Sequence, residues 1–255
     1  MNGRRHASAA LMLLLLGAAA AAQAPDAGWV SYRDAYRAMV VFEKYGQPKH
    51  LIQSHFQVMP LEQGGSTDGL RLTLAGKSMR LNLPLDATGR ALLPLLKAAY
   101  DENAVLLLDG QVRGQLSGQL SGQLRGQLSG QLSGKLSRYQ LRARVSVLVR
   151  ADGVYEAAEL RAACDQALNF ARYADASARS LTCAGVRFGF AGQRAAVVRV
   201  RDGGAAQALP VAEGTIFADD PQDRFKTVLV RFADTPARGQ VLTPEAPLAI
   251  APVFE

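Results

Sequence analysis

Between Arg138 and Arg150 the chain alternates apolar and polar residues so strictly that one secondary structure is open to it. Tyr139, Leu141, Ala143, Val145, Val147 and Val149 fall on one side, with Arg138, Gln140, Arg142, Arg144, Ser146 and Arg150 on the other. Leu148 is the single apolar residue on the polar side. A period of two with β-branched residues describes a half-buried strand, so a central strand with its valine face on the core is expected. Asp152-Gly153 then turns the chain. From about Glu156 to Ala174 the period becomes helical, with Leu160, Cys164, Ala167, Leu168 and Ala171 on one stripe and Arg161, Asp165, Asn169 and Arg172 opposite. After a loop, Val186, Phe188 and Phe190 alternate with Arg187 and Gly189. Strand, helix and strand follow one another, with Cys164 on the buried face of the helix and Cys183 just before the second strand.

The cysteines make the redox compartment matter, and the N-terminus addresses it. Arg4 and Arg5 precede an apolar run from Leu11 to Gly17 and a small-residue zone from Ala18 to Ala24. This order predicts a secretory signal peptide over residues 1–22, cut before Gln23 with Ala20 and Ala22 as the small-x-small pair. The apolar run is shorter than the ~20 residues of a membrane-spanning helix, so no transmembrane segment is expected after cleavage, and the location is periplasmic or secreted. In an oxidising compartment a Cys164–Cys183 disulfide is expected, contributing ~3 kcal/mol by chain entropy. A Cys-x-x-Cys redox spacing is absent, and two cysteines with His50 and His55 make a poor zinc set. No metal site is expected.

Of the 255 residues, 49% are hydrophobic, enough for a sizeable core. Ser31 and Asp34 resemble a capping box, and Gly46 and Pro48 end the helix they would open, with Tyr32, Ala35, Tyr36, Met39 and Phe42 on its buried side. Leu51–Met59 reads as a strand in which Ile52, Ser54, Phe56 and Val58 alternate with Gln53, His55 and Gln57. Leu70–Leu74 and Met79–Leu83 form a hairpin about Ala75-Gly76-Lys77. Leu92–Tyr100 fits either a short helix opened by Pro94 or the end of a strand. Ala104–Leu108 reads as a buried strand.

Residues 110–137 form a low-complexity insert of Gly-Gln-Leu-Ser units, with Arg125 and Lys135 as variants. A glycine every fourth position costs ~1 kcal/mol each in a helix. A mobile loop, or an extension of a hairpin joining Ala104–Leu108 to Tyr139–Val149, fits better. Beyond Phe190 the pattern is β: Ala196–Val200, a return at Leu209–Val211, Val228–Phe232, Val241-Leu242 and Leu248–Ile250. Pro236, Pro244, Pro247 and Pro252 confine the last of these to sheet edges or loops. The expected organisation is a 27–192 α+β domain, two helices packed on a mostly antiparallel sheet. A β-rich C-terminal part, 195–255, follows as a small domain or an added layer.

The string Leu81-Asn82-Leu83-Pro84-Leu85-Asp86, with Gly89-Arg90, Leu93-Pro94 and Asp101-Glu102-Asn103-Ala104, resembles a group of exported Gram-negative bacterial proteins of unknown function. Their later part similarly pairs a helix with a strand opening Gly-Val-x-Phe, here Gly185-Val186-Arg187-Phe188. The resemblance spans about residues 30–192. It implies an exported protein and carries over no catalytic residue.

Chemistry is sparse. Ser54 and His55 are neighbours on a strand and point to opposite faces, and there is no Gly-x-Ser-x-Gly elbow. No nucleotide-binding or calcium loop is present, so no cofactor is expected. Asp86, Asp101, Glu102, Asp152, Glu156 and Glu159 could supply a carboxylate pair for a hydrolase of envelope carbohydrate, although most sit at turns and helix starts where acids belong in any case. The salient feature is charge. From Gly110 to Ala151 there is no acid, while Arg113, Arg125, Lys135, Arg138, Arg142, Arg144 and Arg150 lie there. Arg138, Arg142, Arg144 and Arg150 would share a strand face able to bind an anionic envelope polymer or another envelope protein. The competing expectation pairs that face with acids from elsewhere, such as Glu156 or Glu159.

Overall fold

The computed structural model describes residues 28–62, 65–109, 138–192, 196–221 and 224–255, and the backbone of 134–135. The expected signal peptide, residues 1–22, and nearly all of the 110–137 insert lie outside the described residues. In chain order the elements are β1 (Gly28–Ser31), α1 (Tyr32–Lys44), β2 (Ile52–Pro60), β3 (Arg71–Ala75), β4 (Arg80–Leu83), β5 (Arg90–Ala91), α2 (Lys97–Asp101), β6 (Val105–Asp109), β7 (Gly134–Lys135), β8 (Tyr139–Val147), β9 (Val154–Glu156), α3 (Ala157–Ala174), β10 (Cys183–Phe190), β11 (Arg199–Arg201), β12 (Gln207–Ala208), β13 (Ala212–Gly214), β14 (Phe225–Arg231), β15 (Gln240–Leu242) and β16 (Ala249–Phe254). The class is α+β, weighted towards β.

In place of two helices on one sheet there are three α-helices and three antiparallel sheets among the described residues: β4-β3-β6-β1-β7, β13-β14-β10-β16-β8-β2-β5, and β12-β11-β15-β9. Two of the overturned expectations concern neighbours. β6 pairs with β3 and β1 while β8 pairs with β2 and β16, so the basic strand and Ala104–Leu108 belong to different sheets and form no hairpin. β16, expected at an edge because of Pro252, lies between β10 and β8. The seven-stranded sheet therefore takes strands from both sides of the boundary expected at 192–195.

Local reasons for the elements are mostly those of the sequence. α1 begins at Tyr32, but Ser31 makes no capping bond through its side chain, and the Tyr32 N–H donates instead to the Ala104 carbonyl. At the other end Lys49 Nζ donates to the carbonyls of Phe42 and Glu43, satisfying groups that a helix terminus leaves free. Pro94 opens no helix: α2 starts at Lys97, and the Pro94 carbonyl accepts the Tyr32 hydroxyl. The Asp152-Gly153 turn is real, with Gly153 at φ +64.

Two main cores result. Val30, Leu72, Leu74, Leu106 and Leu108 of the five-stranded sheet close on Phe56, Val58 and Leu141 of the seven-stranded one, with Tyr32, Ala35 and Ala99 from the helices. The stripe Leu160, Cys164, Ala167 and Phe170 of α3 packs on Val186, Phe188, Val228, Val230 and Ile250, joined by Tyr155 and Val241 from the four-stranded sheet and by Val198 just before β11. The sulfurs of Cys164 and Cys183 lie at disulfide distance with Cα atoms 6.0 Å apart, tying α3 to β10. A third, smaller cluster, with Ile216, Phe217 and Phe225, covers the opposite face of β10 and β16.

Candidate functional site

The seven-stranded sheet is split between β8 and β16, and backbone geometry gives the reason. The Leu148 N–H donates to Leu51 O and the Leu61 N–H to Arg138 O. Antiparallel ladders alternate, so Gln140, Arg142, Arg144 and Ser146 turn their backbone groups towards β2, while Leu141, Ala143, Val145 and Val147 turn theirs towards β16. Only Val147 finds a partner there, Ile250. The residue of β16 that would next meet Val145 is Pro252, which has no N–H to give. The ladder opens at that point. The proline is tolerated in a central strand because its missing donor falls on the open side, while its pairing position on β10 opposite Val186 is kept.

The opening is a cleft of about 440 Å³ that passes from one side of the sheet to the other. Towards the helices it is lined by Ala38, Ala143, Ala167, Phe170, Ala171 and Leu181, and the alanines at these positions are what leaves the space. Towards the other face it is lined by Arg142, Arg144 and Arg187 and by the segment carrying Phe217 and Asp219. That segment is seated by Gly189: a Cβ there would lie 2.3 Å from the Ile216 side chain, so only glycine lets Ile216 sit down on β10.

Charges on this face are partly matched. Asp219 accepts from Arg142 Nη1 at 2.5 Å and Arg144 Nη1 at 2.6 Å. Arg144 also reaches Asp220 at 3.3 Å and Gln57 at 3.1 Å, and its guanidinium lies 5.0 Å from the centre of the Phe217 ring. Burial pushes the Asp219 carboxyl up, but the charge and hydrogen bond of Arg144 and the charge of Arg142 outweigh it, leaving Asp219 below the usual range. For Asp220, whose side chain is 2% exposed, burial wins and the carboxyl is raised. Arg187 differs from its neighbours. It donates to the carbonyls of Thr215 and Ile216 at 3.3 and 3.4 Å, has no carboxylate partner among the described residues, and is lowered by burial.

Beside these residues on the β2 surface lies His55, 3% exposed, with neither ring nitrogen hydrogen-bonded to any described residue. Burial first and then the Arg90 charge bring it down to about 3, so its imidazole is neutral. No group of three metal-ligating side chains exists among the described residues.

The four arginines singled out by the sequence are not one strip. Arg142 and Arg144 share the β8 face but are held by acids of the 217–220 segment. β8 ends at Val147, so Arg150 lies off the strand and pairs with Asp152 and Glu159, both at 3.1 Å. Arg138 precedes β8, its carbonyl taken by Leu61. The acids considered for a hydrolase are engaged elsewhere: Asp86 with Thr88 and Arg90, Asp101 with Lys97, Glu102 with Ser78, Glu156 with Gln240, and Asp152 and Glu159 with Arg150. None of them lines the cleft, whose single lining carboxylate is Asp219. Arg187 is the residue that the sequence reading passed over. Its signal was there: a lone charge between Gly185 and Gly189 in an otherwise apolar strand.

Comparison with known proteins gives no neighbour: no family model, no curated protein and no solved structure matches the chain.

Proposed function

We propose that this is an exported, non-catalytic binding protein that holds an anionic ligand in the cleft between β8 and β16. The observation that carries the reading is Arg187, a partly buried guanidinium that opens on the cleft and has no carboxylate partner among the described residues. Burying an unpaired charge is unfavourable, and an arriving anion would relieve it. The pairing also sets the ligand's charge. Arg142 and Arg144 are answered by Asp219 and Asp220, which leaves Arg187 as the cleft guanidinium without a carboxylate among the described residues. One carboxylate answers that better than a polyanion. The apolar remainder of the lining fits the usual build of a ligand site, a greasy cavity of ~300–1,000 Å³ with a few fixed polar groups.

Export rests on the arginine-apolar-alanine order of the N-terminus and on the cysteine pair at disulfide distance. Among the described residues no helix is long and apolar enough to cross a membrane. Intact mass of the protein from its native compartment should begin at Gln23. For the site, displacement of anilinonaphthalene sulfonate by dodecanoate should weaken at least tenfold in Arg187→Gln, equivalent to about 1.4 kcal/mol. Equal displacement from both proteins would remove Arg187, and this reading with it.

A further inference from the structure

The anion reading leaves open what carries the charge, and resting on it, we infer that the cleft takes an extended peptide strand of another protein, its acidic side chain on Arg187. Leu141, Ala143 and Val145 each turn an N–H and a C=O into the opening, where β16 gives them no ladder partner. Leu141 is buried and Ala143 and Val145 are half-buried, and backbone groups drawn away from water need partners. A hydrocarbon chain would satisfy none of them, and a single anionic head could reach only a donor. The occupant that supplies donors and acceptors in the same alternating order is a second backbone, and strand addition to an open ladder is an established way for a sheet to recognise a peptide.

The two sides of the cleft then define the sequence that fits. A strand lying along β8 sends successive side chains to opposite faces. On one face they meet Ala143, Ala167, Ala171 and Phe170, where small apolar residues have room. On the other they meet Arg187 and the guanidinium groups of Arg142 and Arg144, already shared with Asp219. The expected ligand is a segment of alternating pattern, apolar, acidic, apolar, with one acid, because Arg187 is the one lining guanidinium without a carboxylate among the described residues. The Pro252 interruption limits the site to the stretch of β8 before Val147, where Leu141, Ala143 and Val145 leave about three rungs free, and a ligand of about five residues matches them.

The test uses the mature chain, a library of capped pentapeptides randomised at every position, and dodecanoate as a separate probe. Enriched peptides should alternate apolar residues with a single Asp or Glu. Replacing that acid by its amide should cost at least tenfold with the natural protein and less than twofold with Arg187→Gln. Methylating the backbone nitrogens that face β8 should abolish binding, and Ala171→Leu, which fills the helix side, should weaken it tenfold or more. Enrichment without an acid would overturn the pairing with Arg187, and binding that survives methylation, or binding of dodecanoate with no peptide enriched, would overturn strand addition. In the last case, sensitivity of dodecanoate to Arg187→Gln would leave the anion site standing, and loss of that sensitivity would remove both.

Discussion

His55 illustrates how completely the setting of a side chain can change its chemistry. On an isolated strand it would titrate near its ordinary value. Enclosed by Phe217, with Arg90, Arg144 and Asp86 as its charged neighbours, it stays neutral until about pH 3. The folded value is depressed, so the unfolded chain binds a proton below 6.5 that the native protein refuses. Stability from this residue is present above pH 6.5 and is lost as pH falls towards 3, by up to about 1.4 kcal/mol per unit. In urea titrations at pH 7 and pH 5, the natural protein should lose about 1–2 kcal/mol more than His55→Gln. Asp219 and Asp220 titrate in both proteins and cancel in the difference. An equal loss would show that His55 is not held neutral by burial.

At the scale of the element, α3 and β10 meet through packing and through a cysteine pair at disulfide distance. The pair Cys164 and Cys183 closes a loop with a sequence separation of 19. A crosslink of that span is worth about 3 kcal/mol through the unfolded chain. Replacing both cysteines by alanine should lower the unfolding free energy by that amount, with an added cost for the cavity left at Cys164, which is fully buried. Thiol titration of the denatured, unreduced protein should find no free sulfhydryl. A free thiol there, or a double variant as stable as the parent, would show that no bond forms. β8 is the complementary element. It is paired with β2 along its whole length and with β16 at one residue, so its second edge is where pairing remains to be made.

For the whole molecule, the decisive arrangement is the return of the C-terminal part into the main sheet. β14 and β16 flank β10, and Val228, Val230 and Ile250 belong to the same core as α3. A chain ending at residue 192 would leave both edges of β10 open and the α3 stripe without half its floor. Such a truncation should be unfolded by circular dichroism and degraded by limited proteolysis under conditions where the chain through residue 255 survives. A cooperatively unfolding fragment would instead make 27–192 an independent domain.

What the sequence determined by itself were the elements whose cause is local. The two-residue period of 139–147, the helical stripe of 157–174, the hairpin of β3 and β4 and the glycine turn at 153 all follow from side-chain alternation and backbone sterics, which neighbours in the chain impose. Cys164 and Cys183 were also legible, because helix phase and strand start brought them to one interface. Only the tertiary structure decided which strands lie side by side, since hydrogen-bonded edges carry no mark in the residues that form them. Pro252 reads as an edge residue until β8 is placed beside it, and Arg142 and Arg144 read as a free basic face until Asp219 is folded over them. Arg187 acquires its meaning last, because having no carboxylate among the described residues depends on every group that surrounds it.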